Sequence, residues 1–274
     1  MITINHLTYT YGGTRSNVFD DFSLTFDHNG VYGLLGKNGT GKSTLLYLIS
    51  GLLRPGKGIV AVDGMRSFDR APQMLADLFL VPEEFDLPEC TLSQFVKVNS
   101  AFYPRFSHEL LASCLKDFEL APEINLKGLS MGQKKKVYIS YALATNTSLV
   151  LMDEPTNGLD IPSKHLFRQV VAKHMTDDRT LVISTHQVHD IENLLDHIVI
   201  IDQSHVLLNA KAGDITERYA FRTIPASEAA TALYAEPSMG GMNAIVCRQP
   251  GDAETQLNLE LLFDAAISGK INQK

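Results

Sequence analysis

The sequence predicts an α/β fold: an antiparallel β portion leading into a parallel sheet, with an inserted helical portion and a small α+β extension at the C-terminal end. Three observations carry this. Val31–Leu35, Leu149–Met152 and Leu181–Ile183 are short, nearly continuous apolar runs ending in polar turn residues, as strands buried on both faces are. Ser163–Met175 sets Leu166, Phe167, Val170 and Val171 on one helical face between the second and third runs, which is how a crossover helix between parallel strands reads. Ile2–Tyr9 and Val18–Phe26 alternate apolar and polar residues around the turn Tyr11-Gly12-Gly13, the pattern of an antiparallel pair.

The remaining elements follow in order. Thr44–Ile49 is an apolar helix behind the first buried run. The stretch between the first and second runs reads as helical, and roughly Pro88–Tyr141 forms the helical insertion. Leu110, Leu111, Cys114, Leu115 and Phe118 recur there at helical spacing, with Pro104 upstream and Ser107 as N-cap. A strand at His197–Ile201 and a short run at Val206–Leu208 close the main domain, residues 1–212. In residues 213–274, an accessory extension, Ala-rich helical pieces alternate with a Pro-Ser-Met-Gly-Gly turn at 237–241 and a short strand at Ala244–Cys247.

Composition limits the function classes. In 274 residues, 45% hydrophobic, 24 Lys and Arg stand against 31 Asp and Glu, a formal charge of −7. That sign argues against a surface built to hold nucleic acid, so phosphate affinity must be local. Cys90, Cys114 and Cys247 form no CxxC pair, which argues against a zinc site or a disulfide framework. No apolar run approaches the roughly 18 residues of a membrane span. The expectation is a cytoplasmic protein whose membrane role, if it has one, is peripheral.

Gly36-Lys-Asn-Gly-Thr-Gly-Lys-Ser43 fits G-x-x-x-x-G-K-[ST] between a buried strand and a helix. Gly36, Gly39 and Gly41 let the backbone N–H groups of the loop, Asn38 and Thr40 included, turn inward around phosphate oxygens. The helix start at Thr44 adds positive dipole. Lys42 then reaches the β and γ phosphates, and Ser43 offers its hydroxyl to Mg²⁺.

Asp153 and Glu154 end the second buried run, where an α/β sheet presents groups to its ligand. Asp153 suits a Mg²⁺ role, and Glu154 suits holding the attacking water and accepting its proton. His186 ends the third run; as a neutral imidazole it is expected to donate one hydrogen bond to the γ-phosphate. Ser130 and Gln133 form an S-x-x-Q capping box that opens a helix running through Leu143. Lys134, Lys135 and Lys136 then read as a solvated face of that helix.

With Leu129-Ser-Met-Gly-Gln133 some two dozen residues before Asp153, residues 1–212 resemble the nucleotide-binding subunit of an ATP-binding cassette (ABC) transporter. The resemblance implies an α/β, P-loop NTPase (RecA-like) core with antiparallel and helical subdomains. Tyr11 matches the aromatic that stacks on adenine, Gly36–Ser43 the Walker A loop, and Leu129–Gln133, with Ser130, Gly132 and Gln133, the signature. Asp153 and Glu154 match Walker B and the catalytic Glu, Gly158-Leu159-Asp160 the D-loop, and His186 the switch His. Two positions depart: Met131 replaces the first signature glycine, and Glu83, after Leu80-Val81-Pro82, replaces a Gln that touches Mg²⁺. A carboxylate can still coordinate the metal.

The resemblance further implies an ATPase using ATP and Mg²⁺. It implies a head-to-tail dimer with a second cassette subunit, whose signature closes over ATP, a separate transmembrane permease, and a peripheral place for this subunit on the inner face of the cell membrane. The tail, ending in Leu257-Asn-Leu-Glu-Leu-Leu-Phe263, looks like those of bacterial exporters. Two other readings are a soluble cassette ATPase acting on nucleic acid or ribosomes and a silent regulatory subunit. The acidic charge and absent coiled coil oppose the first; intact Lys42, Asp153, Glu154 and His186 oppose the second.

Overall fold

The computed structural model describes residues 1–13, 16–121, 123–249 and 251–271. The chain opens with β1 (Ile2–Tyr9) and β2 (Phe19–Phe26), then β3 (Gly30–Leu35) and α1 (Lys42–Ile49). There follow β4 (Lys57–Val62), β5 (Met65–Arg66), the single turn α2 (Pro72–Leu75) and β6 (Leu78–Val81). Helices α3 (Leu92–Asn99), α4 (His108–Asp117) and α5 (Met131–Ala144) precede β7 (Leu149–Asp153), α6 (Ile161–His174) and β8 (Thr180–Thr185). Strands β9 (His197–Asp202) and β10 (His205–Lys211) lead to α7 (Ala212–Arg218), β11 (Tyr219–Ile224), β12 (Tyr234–Ser238), β13 (Gly241–Cys247) and α8 (Leu259–Ile267).

The six-stranded sheet runs in the order β10-β9-β3-β8-β7-β6, parallel except for the antiparallel edge β10. Side chains alternate across a strand, so the one apolar run of β3 serves two cores. Tyr32 and Leu34 face a core shared with α1 and the antiparallel sheet β2-β1-β4-β5. Val31 and Leu35 face the second core, shared with the helices. Burial on both sides is why these strands read as continuous apolar runs.

Helix α4 starts where expected, with the Ser107 hydroxyl accepting the Leu110 N–H at 3.1 Å. One expectation needs correction. The stretch between the first two runs contains strands β4, β5 and β6 as well as helices. Strand β6 is only four residues, too short for periodicity to tell from a helical turn. Helix α5, capped by Ser130, runs through Leu143 as expected and ends at Ala144.

The extension is richer in strand than expected: β11, β13 and β12 form a three-stranded antiparallel sheet. Pro237 and Ser238 belong to β12, paired with Met242 and Gly241, leaving Met239-Gly240 as the turn. Proline is tolerated there because β12 is an edge strand. Ile245 of β13 and Leu259, Leu262 and Ala265 of α8 are fully buried within the same apolar cluster as Val188, Ile191 and Ile198.

Candidate active site

Strands β3, β8 and β7 are neighbours, and their carboxyl ends meet at one place on the sheet, where an open α/β sheet presents ligand-binding groups. From β3 the chain enters the loop at Gly36. Gly39 has φ 81°, and Gly41, the N-cap residue of α1, has φ 100°; glycine adopts this left-handed region without steric cost. A Cβ on Gly41 would lie 2.7 Å from Phe19 Cζ and 2.9 Å from Val18 Cγ1, so the start of β2 walls in the loop.

Lys42 Nζ folds back within the loop, donating to the carbonyls of Gly36 (2.8 Å) and Lys37 (3.2 Å). Thr40 Oγ1 donates to the same Lys37 carbonyl at 2.8 Å, while Asn38 and Gly39 form the exposed tip. Burial pushes the Lys42 ammonium below the usual lysine range, and the carboxylates of Glu154, Asp153 and Glu83 oppose that shift. The positive charge is thus held on carbonyl dipoles, weaker partners than an ionised phosphate. In the first turn of α1, Thr44 Oγ1 shares a 3.0 Å hydrogen bond with the Tyr11 hydroxyl. Tyr11 is 40% exposed, its ring edge-on to Tyr9 at 5.1 Å.

Asp153 Oδ1 accepts from Ser43 Oγ at 3.1 Å and from the Ser184 hydroxyl. Its other oxygen, Oδ2, is buried with no hydrogen-bond partner among the described residues. Burial pushes the Asp153 carboxyl above the usual range; the serine hydrogen bonds pull it back, and Glu83 and Glu154 add to the rise.

Glu154 has φ 43°, a conformation that costs a non-glycine residue about 1–3 kcal/mol and persists only where surroundings over-determine it. Its N–H donates to the Ser184 carbonyl at 3.0 Å, and its carbonyl accepts the Asn157 N–H at 3.1 Å. Oε2 accepts from Thr185 Oγ1 at 3.0 Å, and Oε1 from the His186 backbone N–H at 3.0 Å. His186 Nδ1 lies 2.7 Å from Oε1. An ionised carboxylate only accepts, so Nδ1 carries the proton. In this position the neutral ring has committed its single N–H to Glu154, and donation from Nε2 requires the imidazolium.

Lys135 departs from expectation. It is buried, 4% exposed, and its Nζ donates to the carbonyls of Glu154 (3.1 Å) and Asn157 (2.6 Å). Burial pushes this ammonium below the usual lysine range, with Glu83 and Glu154 foremost among the carboxylates opposing it. The clue lay in helical spacing: Lys135, Ile139 and Ala142 share one face at i, i+4 and i+7. Lys134 instead reaches the exposed Asp86 at 2.9 Å. Asn157, which the sequence reading did not single out, uses Nδ2 to donate to Glu83 Oε1 at 2.8 Å. The four residues Glu83, Asn157, Glu154 and Lys135 therefore form one hydrogen-bonded chain.

The signature residues make their hydrogen bonds at the start of α5. The Ser130 hydroxyl accepts the Gln133 N–H at 3.3 Å, and Gln133 Oε1 accepts the Ser130 N–H at 3.0 Å; this is the expected capping box. Gly132 stands beside Leu159, and Met131 is 49% exposed. Asp160 caps α6, its carboxylate accepting the Ser163 N–H at 2.9 Å.

The ABC transporter family matches residues 19–157, half of the chain, a stretch that includes the loop, the capped helix and both carboxylates. This chain belongs to the ABC transporter family. It is an ATP-binding, ATP-hydrolysing cassette of that family. The cassette is similar to the ABC transporter ATP-binding protein NatA of Bacillus subtilis, 31% identical over 194 residues, covering 68% of this chain and 79% of NatA. YtrB of the same organism is 26% identical, with coverage of 80% and 75%. The Nod factor export ATP-binding protein I of Cupriavidus metallidurans is 27% identical, with coverage of 82% and 79%. A solved ATP-binding subunit of an ABC transporter superposes with TM-score 0.70 at 26% identity, covering 78% of this chain and 91% of that one. A dimeric ATP-binding cassette in a post-hydrolysis state bound to ADP and Pi gives 0.67 at 26% identity, covering 77% and 98%.

Proposed function

We propose that this cassette hydrolyses ATP at Lys42, Ser43, Asp153, Glu154 and His186, and that hydrolysis powers a separate transmembrane permease in the direction of export. The observation that carries the reading is the convergence of a phosphate loop, a buried carboxylate pair and an imidazole at three adjacent strand ends. Gly36, Asn38, Gly39, Thr40, Gly41 and Thr44 cradle the phosphates, and Tyr11 takes the adenine. Lys42 exchanges its two carbonyls for phosphate oxygens. The Glu154 carboxylate, held by three donors, orients a water and takes its proton as the water oxygen attacks the γ-phosphorus and the bond to the bridging oxygen breaks, releasing ADP and phosphate.

A divalent cation fits the donors present. Asp153 Oδ2 is a buried oxygen without a partner, the Ser43 hydroxyl stands beside the same carboxylate, and Glu83 faces the site through Asn157. Hard oxygen donors of this kind suit Mg²⁺. When bound, Mg²⁺ supplies Lewis-acid stabilisation of phosphate charge.

Ser130, Gly132 and Gln133 sit at an exposed helix start, which favours phosphate, and the Ser130 and Gln133 side chains cap that helix through each other's backbone. A second cassette, packed head to tail, is the phosphate source that fits them, with Asp160 at the same interface. The dimeric form of a similar solved cassette supports this. The names of the Nod factor export relatives support export. An apolar groove lined by Leu75, Phe79, Pro82 and Tyr103, with Leu52 and Phe102 exposed, offers a surface for the permease. No helix of the described residues is long and apolar enough to cross a membrane; we place the cassette on the inner face, residues 1–212 as the motor and 213–274 as an accessory extension.

The test is Glu154→Gln. Its phosphate release should fall on the order of 10²–10⁴-fold, and MgATP should convert it to a dimer on size-exclusion chromatography. Phosphate release at the native rate removes Glu154 as the base. Co-purification with a membrane permease encoded beside it tests the partner.

A further inference from the structure

The chain after His186 is gripped from two sides. It forms two single helical turns, Val188–Asp190 and Glu192–Leu194. On one side stands α6, whose Lys164 pairs with Asp190 at 2.7 Å and donates to Gln187 Oε1 at 2.7 Å. Arg168 of the same helix donates to the Asp190 carbonyl at 3.3 Å. On the other side stands α8, from the far end of the chain. The Leu259 N–H, at the start of that helix, donates to Glu192 Oε1 at 2.6 Å, and His189 Nε2 lies 2.7 Å from Glu260 Oε2.

The grip on the α8 side has an apolar floor. Val188 and Ile191 pack in the same cluster as Leu259 and Leu262, and Ile191, Leu259 and Leu262 are each fully buried. A helix N-terminus has unsatisfied N–H groups, and a carboxylate there gains from both a hydrogen bond and the dipole. Glu192 serves that function for α8 from 67 residues away. The α8 helix also lies within the electrostatic field of the phosphate loop. Burial and Glu260 push the Asp264 carboxyl up, and Lys37 opposes them.

We infer that the C-terminal extension braces the segment that carries His186, with Glu192 and Glu260 as positioning residues that keep the imidazole against Glu154. The inference rests on the site reading above. His186 is the exposed member of its pair with Glu154, 38% against 7%, and its peptide N–H also bonds the Glu154 carboxylate. The carboxylate's orientation therefore depends on where the backbone of residues 186–194 sits. Substituents several residues from the chemistry then act on turnover through that backbone, since small displacements of a reacting group cost rate steeply. Nucleotide affinity, set mainly by the loop on β3, stays unaffected.

The experiment uses the full chain with both carboxylates removed, Glu192→Ala and Glu260→Ala together. Turnover of MgATP is followed by phosphate release, and affinity by trinitrophenyl-ATP fluorescence. We expect kcat to fall on the order of tenfold, with KM and trinitrophenyl-ATP affinity unchanged. Glu192→Gln, which keeps an acceptor oxygen for the Leu259 N–H, should restore most of the loss when it replaces Glu192→Ala. In a His186→Ala background the same pair should cost less than about twofold, because coupled residues are non-additive. An unchanged kcat in the native background overturns the inference, as does an equal loss with and without His186. Failure of the site reading is distinct: His186→Ala alone would then turn over at the native rate with the extension intact.

Discussion

Lys135 Nζ, on α5, donates to the backbone carbonyl of Glu154, nineteen residues later in the sequence, at 3.1 Å. The contact joins the helix carrying Ser130 to the left-handed turn carrying Glu154. A buried ammonium with carbonyl partners is costly to desolvate and costly to lose. Lys135→Met leaves the Asn157 carbonyl without its Lys135 donor, about 1–3 kcal/mol for a buried group left unsatisfied, while the Glu154 carbonyl keeps the Asn157 N–H. Urea denaturation should show a lower midpoint, and phosphate release should slow while trinitrophenyl-ATP affinity holds. Native stability and native kcat together would remove the contact from the account.

Asp153 gives a pH prediction whose sign follows from its raised pKa. Between the unfolded and folded pKa values the native state binds more protons than the unfolded state, so this group's contribution to stability is full below the unfolded pKa and is lost as pH rises through the folded one. Asp153→Asn cannot ionise. Without nucleotide or metal, its advantage in urea midpoint over the native chain should be greater at pH 8 than at pH 5, while its MgATP turnover should collapse. An advantage that shrinks with rising pH contradicts the assignment.

Glu83 and Asn157 make a metal-dependence test. Glu83→Gln keeps an oxygen to accept from Asn157 Nδ2, so the turn at 154–157 should stay in place. Loss of one negative charge near Asp153 should shift the ratio of turnover with Mg²⁺ to turnover with Mn²⁺. If rate and ratio both match the native chain, Glu83 has no part in holding the cation.

Gly41→Ala tests the loop. At φ 100°, with Phe19 Cζ 2.7 Å from the added Cβ, alanine meets both backbone strain and a ring fixed in the core. We expect a stability loss of about 1–3 kcal/mol and at least tenfold weaker trinitrophenyl-ATP binding. A native-like midpoint and affinity would show that the loop can move away from β2 at no cost.

Much of the site is readable from one dimension because its chemistry is local. The phosphate loop needs left-handed turns and a lysine at fixed offsets, so Gly39, Gly41 and Lys42 stand out by spacing. Asp153, Glu154 and His186 were legible for another reason: they follow apolar runs, and the ends of parallel strands are where ligands sit. The capping box at Ser130 and Gln133 is likewise a short-range bond pattern. Thr185, Ser184 and Asn157 carry no such mark. Thr185 and Ser184 matter because β7 and β8 lie side by side, with Asp153 paired to Ser184 in register, and Asn157 because the fold brings Glu83 and Lys135 to it.

Local pattern in the sequence determines the α/β class, the phosphate loop and the two carboxylates, because backbone conformation and strand burial leave their periods in nearby residues. Tertiary structure decides the rest. It turns Lys135 from a surface charge into a buried donor, directs the only neutral N–H of His186 toward Glu154, and brings α8 against residues 188–194. These contacts join segments 19 to 71 residues apart, and no period records them. They exist because the apolar faces of the sheet, the inserted helices and the extension close on one core, and the polar groups at its rim must then find the partners that this packing leaves within reach.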